Sequence, residues 1–290
     1  MAKLWFKGED IGKEAESFLA SDLAADQKMV MYEVYASIAH AKMLYKIGIL
    51  SNNELKQLTN CLKGILNLDN QNKFNITRED EDVHTKVENH LTKKIGAAGK
   101  KIHTYRSRND QVLVNQRLYN KEKLIETQLA LLKLCTTILE FSKKYEYIPM
   151  PGYTHLQKAM LSSVGLWGSA FIESLLDDLT LLETAFCLNN QCPLGSAAGY
   201  GVPANTDRQF TSELLGFSKV QNNSLYCQNS RGKIESVILS ALSQVMLDLG
   251  KMATDLILFS TPEFGYFQMS DKVTTGSSIM PQKRIQMLQN

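Results

Sequence analysis

Apolar side chains recur at steps of three, four and seven residues along three long stretches of this chain. This spacing places them on one face of an α-helix. Each predicted helix is more than twice as long as the usual mean of about 11–12 residues. Helices of that length favour an elongated bundle over a compact layered fold. The three stretches are residues 112–145, ended by Pro149 and Pro151; residues 158–188; and residues 233–260, ended by Pro262.

Shorter helices are predicted before residue 100. One covers residues 24–47 and ends at Gly48, and another covers residues 79–95 and ends at Gly96. Between them, residues 51–54, Ser-Asn-Asn-Glu, have the form of a capping box and predict the start of a further helix. No alternating strand pattern of convincing length is present.

The fold class predicted from these patterns is all-α. The change from short to long helices places a smaller helical N-terminal domain at residues 1–107 and a central domain of long helices at residues 108–290. The long helices carry more apolar surface than one seam buries, since Leu131, Leu132 and Leu134 are near neighbours. Surplus apolar faces of this kind predict association between subunits.

The composition is that of an ordinary globular protein. Of 290 residues, 44% are hydrophobic and 21% are charged, which excludes disordered, collagen-like and disulfide-scaffold classes. The 32 Lys and Arg residues nearly balance the 30 Asp and Glu residues, and the net charge is +2. Because the charge is balanced and no basic stripe is present, we expect no binding to nucleic acid or to an anionic membrane.

The cysteines and the N-terminal sequence predict a reducing compartment. Five cysteines are scattered without a C-x-x-C pair or histidines at metal-ligand spacing, so we expect free thiols and no metal site. The first residues, M-A-K-L-W-F-K-G-E-D, lack the apolar core of a signal peptide. No stretch approaches the roughly 18 uncharged apolar residues of a membrane span. We therefore expect a soluble, cytoplasmic protein.

Two polar segments precede predicted helices and carry more chemistry than a helix start needs. Residues 81–84, Glu-Asp-Val-His, allow two interpretations. They form part of a functional site, or they form a solvated helix N-terminus whose histidine contacts Glu88 one turn later. Residues 102–111, I-H-T-Y-R-S-R-N-D-Q, hold two arginines whose paired donors suit an anion. The alternative is a helix start capped by Ser107 or Asn109, with solvated arginines.

Two further segments combine a bent or flexible backbone with reactive side chains. Residues 151–157, P-G-Y-T-H-L-Q, place Thr154 and Gln157 beside a histidine, which titrates near neutral pH. That histidine fits an acid or base, or a packed or solvated residue. Residues 274–283, T-T-G-S-S-I-M-P-Q-K, form either a loop that closes over a ligand or a Ser/Gly linker.

Three of these segments together resemble the signature regions of the fumarase/aspartase superfamily. They are H-T-Y-R-S-R-N-D-Q, P-G-Y-T-H-L-Q and G-S-S-I-M-P-Q-K, and the third is highly specific to that superfamily. R-S-R-N-D-Q-V and P-G-Y-T-H-L-Q, preceded by E-D-V-H, resemble the argininosuccinate lyase family within it. The resemblance covers almost the whole chain, including A-S-I-A-H-A-K-M-L near its start and P-L-G-S around Pro193.

The resemblance implies a homotetramer around a bundle of long helices, with each active site assembled from three subunits. It also implies the substrate argininosuccinate, cleaved to L-arginine and fumarate without metal or organic cofactor, as the last step of arginine biosynthesis. This β-elimination removes an unactivated proton beside a carboxylate and leaves a dianionic aci-carboxylate, which needs clustered donors. Arg108, Asn109, Thr154 and Lys283 are of suitable types.

Roles for particular residues follow from the same resemblance. Ser277 matches the loop serine that takes the proton, and His155 matches its acid/base counterpart. Since a free serine hydroxyl is a poor base, loop closure and nearby cationic charge must activate Ser277. The remaining matches are substrate-binding residues: Ser21, His84, Ser107, Arg108, Asn109, Thr154, Gln157 and Lys283.

The last residues depart from the family pattern. The family's loop continues K-K-N-P-D and reaches a glutamate that orients the catalytic histidine, whereas this chain has Ile285 and Asn290 at those Asn and Glu positions. Loss of one base converts the codons AAT-CCA-GAT, for Asn-Pro-Asp, into ATC-CAG-ATG, for Ile-Gln-Met. We therefore expect a frameshift or truncation inside the loop and a missing C-terminal domain. If that segment is missing, the helix faces that it covers are exposed, which predicts aggregation or poor folding of this chain; the activity of the family and the activity of this chain are separate claims.

Two alternatives remain. Another lyase of the superfamily, of the adenylosuccinate lyase or fumarase type, shares the loop and the bundle but should differ at R-S-R-N-D-Q and P-G-Y-T-H-L-Q. A non-catalytic scaffold, such as a lens crystallin recruited from this family, keeps the fold without the activity. Retention of Asn109, His155 and Ser277 argues against long disuse.

Overall fold

The computed structural model describes residues 23–276, 278–280 and 284–286. Helices dominate these residues, and the all-α prediction is confirmed. The α-helices are α1 Leu23–Lys46, α2 Asn52–Asn70, α3 Val83–Ile95, α4 Ala97–Lys100, α5 Arg108–Lys144, α6 Val164–Asn189, α7 Arg208–Leu214, α8 Ser224–Asn229 and α9 Lys233–Phe259. Short 3₁₀ turns cover Arg78–Asp80, Lys101–His103 and Asp271–Val273.

Short strands pair two by two within the described residues. An antiparallel hairpin joins β1 and β2, a parallel pair joins β3 and β4, and a second antiparallel pair joins β5 and β6. The strands are β1 Pro149–Thr154, β2 Gln157–Ser163, β3 Gln191–Cys192, β4 Lys219–Val220, β5 Thr274–Gly276 and β6 Arg284–Gln286.

The chain divides into two compact units. Of the described residues, the first unit comprises those up to 123 and 186–234, and the second comprises 124–185 and those from 235 onward. The predicted boundary after residue 107 falls inside the first unit and does not coincide with this division. As a boundary between separately folding domains it stays a prediction.

Helices α1, α2 and α3 build the main core of the first unit. Its fully buried side chains include Val34, Leu44, Leu58, Leu62 and Leu91. Each such burial contributes roughly 1.5–3 kcal/mol relative to an exposed side chain. The predicted capping box at the start of α2 is confirmed, because the Ser51 hydroxyl accepts a hydrogen bond from the Glu54 amide and the Glu54 carboxylate accepts one from the Ser51 amide.

Aromatic side chains surround one apolar cluster of the second unit. Met150 of β1, Val164 of α6 and Phe259 of α9 are the buried members of this cluster. The Phe259 ring centroid lies 5.6 Å from that of Tyr266 and 6.0 Å from that of Phe264. Distances in this range are typical of favourable aromatic pairs. Aromatic packing therefore fixes the end of α9 against the hairpin and the start of α6.

Two of the three predicted long helices, α5 and α9, are confirmed with small shifts at their ends. The prediction for the second is wrong over residues 158–163, which belong to β2, a strand without an alternating pattern of buried and exposed positions. Prolines 149 and 151 prevent continuation of α5. His155 and Leu156 then adopt φ of 52° and 60°, and this two-residue turn pairs Thr154 with Gln157.

Among the shorter helices, α1 is confirmed and α3 begins later than predicted. Residues 78–80 form a 3₁₀ turn instead of the first turn of α3. Asp82 is the N-cap of α3, and its carboxylate accepts a hydrogen bond from the Thr85 amide at 2.6 Å. By length and composition α9 is apolar enough to cross a membrane, the one such helix in the described part of the chain.

Candidate active site

The start of α5 combines a helix cap with the predicted polar cluster. The Ser107 hydroxyl accepts a hydrogen bond from the Asn109 amide at 3.3 Å, so the capping alternative is confirmed for Ser107. The Ser107 amide in turn donates to Asp110 Oδ1 at 3.0 Å. Asn109 is exposed and its side-chain amide reaches back to the same hydroxyl. The cap therefore presents Ser107 and Asn109 side by side.

Asp110 fixes a loop of the first unit against this helix start. Its side chain is fully buried, and its Oδ2 accepts hydrogen bonds from the amides of Gly195 and Ala197, each at 3.0 Å. Burial raises the pKa of Asp110, and the backbone hydrogen bonds oppose that rise. Gly195 has a φ of 88°, and a Cβ there would lie 2.8 Å from Arg208 Cγ, so the loop requires glycine.

Arg108 brings the starts of α3 and α5 together. Its Nε lies 3.2 Å from Asp82 Oδ2, and its Nη2 donates to Thr85 Oγ1 at 2.9 Å. Within the described residues its Nη1 is enclosed and has no hydrogen-bond partner. Arg108 is thus held by two groups and retains one donor atom for a further acceptor. The expectation of solvated arginines is wrong for Arg106, which is 8% exposed.

Arg231 joins this neighbourhood, although sequence analysis did not select it. Its Nη2 donates to the Asn109 carbonyl at 2.6 Å, and its Nε donates to Gln228 Oε1 at 3.1 Å. The side-chain amide of Gln228 contacts Ser196 and Ala197 in the loop that Asp110 holds. The sequence signal for Arg231 was a positively charged residue in the short segment Ser-Arg-Gly, residues 230–232, between α8 and α9.

His84 makes a different contact from the one predicted. Its Nδ1 lies 2.7 Å from Glu33 Oε2 on α1, whereas Glu88 faces His103 at 3.7 Å. The reason is that His84 lies on the buried face of α3 and is 4% exposed. Burial alone would raise the pKa of Glu33, but the charges and hydrogen bonds of His84, Arg106 and Ser37 outweigh it and hold that pKa far below its ordinary value.

Sequence analysis missed Glu33, although a signal for it was present. Glu33, Ser37 and His40 recur at four- and three-residue steps, which places three polar side chains on one face of α1. All three are almost fully buried. A polar stripe inside an otherwise apolar helix predicts a buried hydrogen-bond network.

The predicted catalytic histidine, His155, lies in the second unit. Thr154, His155 and Gln157 are exposed at the turn between β1 and β2. The backbone of His155 is left-handed, a conformation found more often at functional sites than elsewhere for residues other than glycine. Within the first unit, the structure brings together His84, Ser107, Arg108 and Asn109. Ser21, Ser277 and Lys283 lie outside the described residues.

Comparison with known proteins identifies the family. A family model described as "Lyase" matches residues 16–284. An argininosuccinate lyase of Thermotoga neapolitana is 45% identical over 282 residues, covering 97% of this chain and 71% of the relative. One of Bacteroides fragilis is 43% identical over 283 residues, covering 97% of this chain and 63% of the relative. This chain is therefore shorter than both relatives.

Solved structures give the same picture of the fold. An EDDS lyase variant with bound fumarate superposes with a TM-score of 0.82 at 25% identity, covering 96% of this chain and 55% of that one. A fumarate lyase:delta crystallin from Brucella melitensis superposes with a TM-score of 0.76 at 21% identity, covering 93% and 66%, and shows the fold alone. The chain belongs to this lyase family and, within it, to the argininosuccinate lyases.

Proposed function

We propose that the chain cleaves argininosuccinate to L-arginine and fumarate, as a carbon–nitrogen lyase of arginine biosynthesis. The observation that carries this proposal is its 41–45% identity to proteins named argininosuccinate lyase over 97% of its length. The chain spans 63% to 71% of the two relatives described above, so the activity of the whole enzyme is part of the proposal. Retention of R-S-R-N-D-Q and P-G-Y-T-H-L-Q supports argininosuccinate over adenylosuccinate or malate.

The contacts of Arg108 support binding of a carboxylate. Asp82 and Thr85 orient its guanidinium, and its Nη1 has no hydrogen-bond partner among the described residues, which favours a further acceptor such as a carboxylate oxygen. Ser107 and Asn109 lie next to it and add neutral donors. Preorganised donors of this kind stabilise the dianion that forms when the proton beside a carboxylate is removed.

Proton transfer falls to Ser277 and His155 in this proposal. Ser277 takes the proton from the carbon beside the carboxylate, the C–N bond breaks, and His155 acts as the acid that protonates the leaving nitrogen. Thr154, Gln157, Lys283, Ser21 and His84 complete the substrate contacts. Lys283, on the same loop as Ser277, attracts a substrate carboxylate and lowers the cost of forming a serine alkoxide.

A homotetramer with active sites shared between subunits is also part of this proposal, with the cytoplasm as its location. Large apolar side chains on all three long helices are exposed in the single chain. Leu129, Leu166, Leu239 and Met246 are each 62% to 67% exposed. Apolar faces of this size normally pack against another protein surface, and a second copy of the bundle offers the matching faces.

Fumarate release tests the proposed activity. The purified chain is incubated separately with argininosuccinate and with adenylosuccinate, and fumarate is followed by its ultraviolet absorbance. We expect release from argininosuccinate alone, and its loss in Ser277→Ala and His155→Asn. Ser243→Ala, which removes a hydroxyl bonded within α9, and His90→Asn are the matched controls and should retain activity.

Two results would overturn the proposal. Release of fumarate from adenylosuccinate alone would assign the chain to another lyase of the superfamily. A folded chain that forms a tetramer by light scattering, yet releases fumarate from neither compound, would leave a non-catalytic scaffold.

A further inference from the structure

Glu33 is the point where four segments of the first unit meet. Its carboxylate is 1% exposed. Oε1 accepts a hydrogen bond from the Ser37 hydroxyl at 2.7 Å and lies 3.7 Å from Arg106 Nη2. Oε2 contacts His84 Nδ1 at 2.7 Å and accepts a hydrogen bond from Asn115 Nδ2 at 2.9 Å. The four segments are α1, α3, α5 and the residues just before α5.

An apolar side chain would fill this core position at lower cost than a carboxylate. A buried charge is destabilising by several kcal/mol unless partners surround it. Here the partners are specific, because Arg106 also donates from Nη1 to the Ser37 hydroxyl at 3.0 Å. Glu33 and Arg106 therefore share one partner and form a closed network instead of a single ion pair.

The network constrains the two groups of the proposed site that lie nearest to it. Contact through Nδ1 fixes the orientation of the His84 imidazole and leaves Nε2 on the opposite edge of the ring. Arg106 precedes Arg108 by two residues, so anchoring its guanidinium also anchors the backbone that carries Ser107 and Arg108. Glu33 thus contacts both His84 and the segment that precedes Arg108, and it is itself buried.

We infer that Glu33 is a positioning residue for the proposed elimination, which fixes the ring of His84 and the backbone leading to Arg108. This inference rests on the proposed function and adds a residue that the signature segments do not contain. A purely structural role predicts a loss of stability on substitution. Positioning predicts two further effects. The hydrogen bonding of the His84 ring nitrogens changes, and the reaction per folded molecule becomes slower.

The test compares Glu33→Gln and Glu33→Asp with the unmodified chain. Glu33→Gln keeps the shape but places a neutral amide against Nδ1, and Glu33→Asp keeps the charge but withdraws it by one methylene. Long-range ¹H–¹⁵N spectra of the histidine-labelled chain report the ring state, and the five histidines are assigned by single substitutions. Fumarate release is measured well below the unfolding temperature. The rate is divided by the concentration of folded protein, which is obtained from circular dichroism.

We expect both variants to shift the NMR signals of the His84 ring. We expect Glu33→Gln to lower kcat/KM by about 100-fold, because misplacing a reacting group by about 1 Å typically has an effect of that size. Glu33→Asp should show a smaller loss, and it decides the question if Glu33→Gln does not fold. Unchanged His84 signals, or unchanged turnover despite moved signals, would overturn the inference. If the unmodified chain releases no fumarate, the proposed function fails, and the ring signals alone decide whether Glu33 positions His84.

Two control variants separate this effect from general loss of a carboxylate. Glu88→Gln removes the carboxylate that faces His103, so it should move the His103 signals and leave those of His84 in place. Asp69→Asn removes a partly buried carboxylate that accepts a hydrogen bond from Gln27 at 2.8 Å. Turnover of Asp69→Asn should be unchanged. Movement of His84 signals in either control would contradict a specific role for Glu33.

Discussion

The two compact units hold their candidate site residues by different means. In the first unit, buried charges and hydrogen bonds around Glu33, Arg106 and Asp110 fix the segments that carry His84 and Arg108. In the second unit, aromatic rings around Phe259 support a hairpin whose turn exposes His155. Charge networks are directional, and aromatic packing adapts more readily to changes of shape. Removing one group should therefore cost more stability in the first unit than in the second.

The largest effect is expected from Arg106→Leu. It leaves the buried Glu33 carboxylate without its arginine, and breaking a buried pair in this way typically costs about 3–5 kcal/mol. Urea unfolding followed by circular dichroism gives the free energy, and hydrogen exchange shows which unit opens. Arg78→Leu is the matched control, because Arg78 is exposed. A loss below roughly 1 kcal/mol in Arg106→Leu would show that the network carries little stability.

His40 should give the next largest effect, in the pH dependence of stability. Burial and the charge of Arg106 lower its pKa from 6.5 to about 3. The unfolded chain therefore binds this proton between pH 6.5 and about 3 while the folded chain does not, so stability falls as the pH falls through that window.

His40→Gln, whose amide keeps a donor for the Thr104 carbonyl, should remove this contribution. A single group gives at most about 1.4 kcal/mol per pH unit. Between pH 6.5 and 4.5 the free energy of unfolding of the unmodified chain should thus fall by about 2 kcal/mol more than that of His40→Gln. Urea unfolding at each pH measures it. The same acid sensitivity in His40→Gln and in the unmodified chain would contradict this account of the first unit.

A smaller effect is expected from Phe259→Leu in the second unit. Leucine fills most of the buried volume but forfeits the aromatic pairs with Tyr266 and Phe264, for a loss of about 1–2 kcal/mol. Differential scanning calorimetry and hydrogen exchange of the hairpin measure it. A loss as large as that of Arg106→Leu would abolish the contrast between the two units.

The smallest effect is expected at the hairpin turn. Leu156 has a φ of 60° and is 79% exposed, so its left-handed backbone is strained and its side chain contributes little packing. Leu156→Gly should therefore stabilise the chain by about 0.5–1 kcal/mol, after the entropy cost of glycine. Leu161→Gly, at an exposed strand position of ordinary backbone, is the control and should destabilise it. Destabilisation by Leu156→Gly would show that the turn carries no strain.

Helical periodicity sufficed for much of the fold, and its failures have physical causes. The stripes that predicted α5 and α9 arise from burial of one helix face, which sequence records directly. Sequence analysis did not predict the hairpin, because Met160 and Leu161 are both exposed and β2 has no alternation of buried and exposed positions. Its register depends on the left-handed backbone of His155 and Leu156. Turns of this kind usually contain Asn, Asp or Gly, so neither residue indicates one.

Sequence analysis predicted the site residues that belong to motifs, but not the residues that support them. His84, Arg108 and Asn109 belong to recognisable segments. Glu33 lies 51 residues before its partner His84, and no local pattern links them. Arg231 similarly meets Asn109 across 122 residues. Long-range hydrogen bonds of this kind depend on how α1, α3, α5 and the turn between α8 and α9 pack together, which follows from the fold of the whole unit.

The decisive measurement for the proposed cleavage is steady-state release of fumarate from argininosuccinate by the unmodified chain, Arg108→Met and Arg78→Met at equal concentrations of folded protein. We expect steady release by the unmodified chain and by Arg78→Met, and a rate lower by about 100-fold or more in Arg108→Met. Equal rates in all three, or no release by a folded and assembled chain, would contradict it.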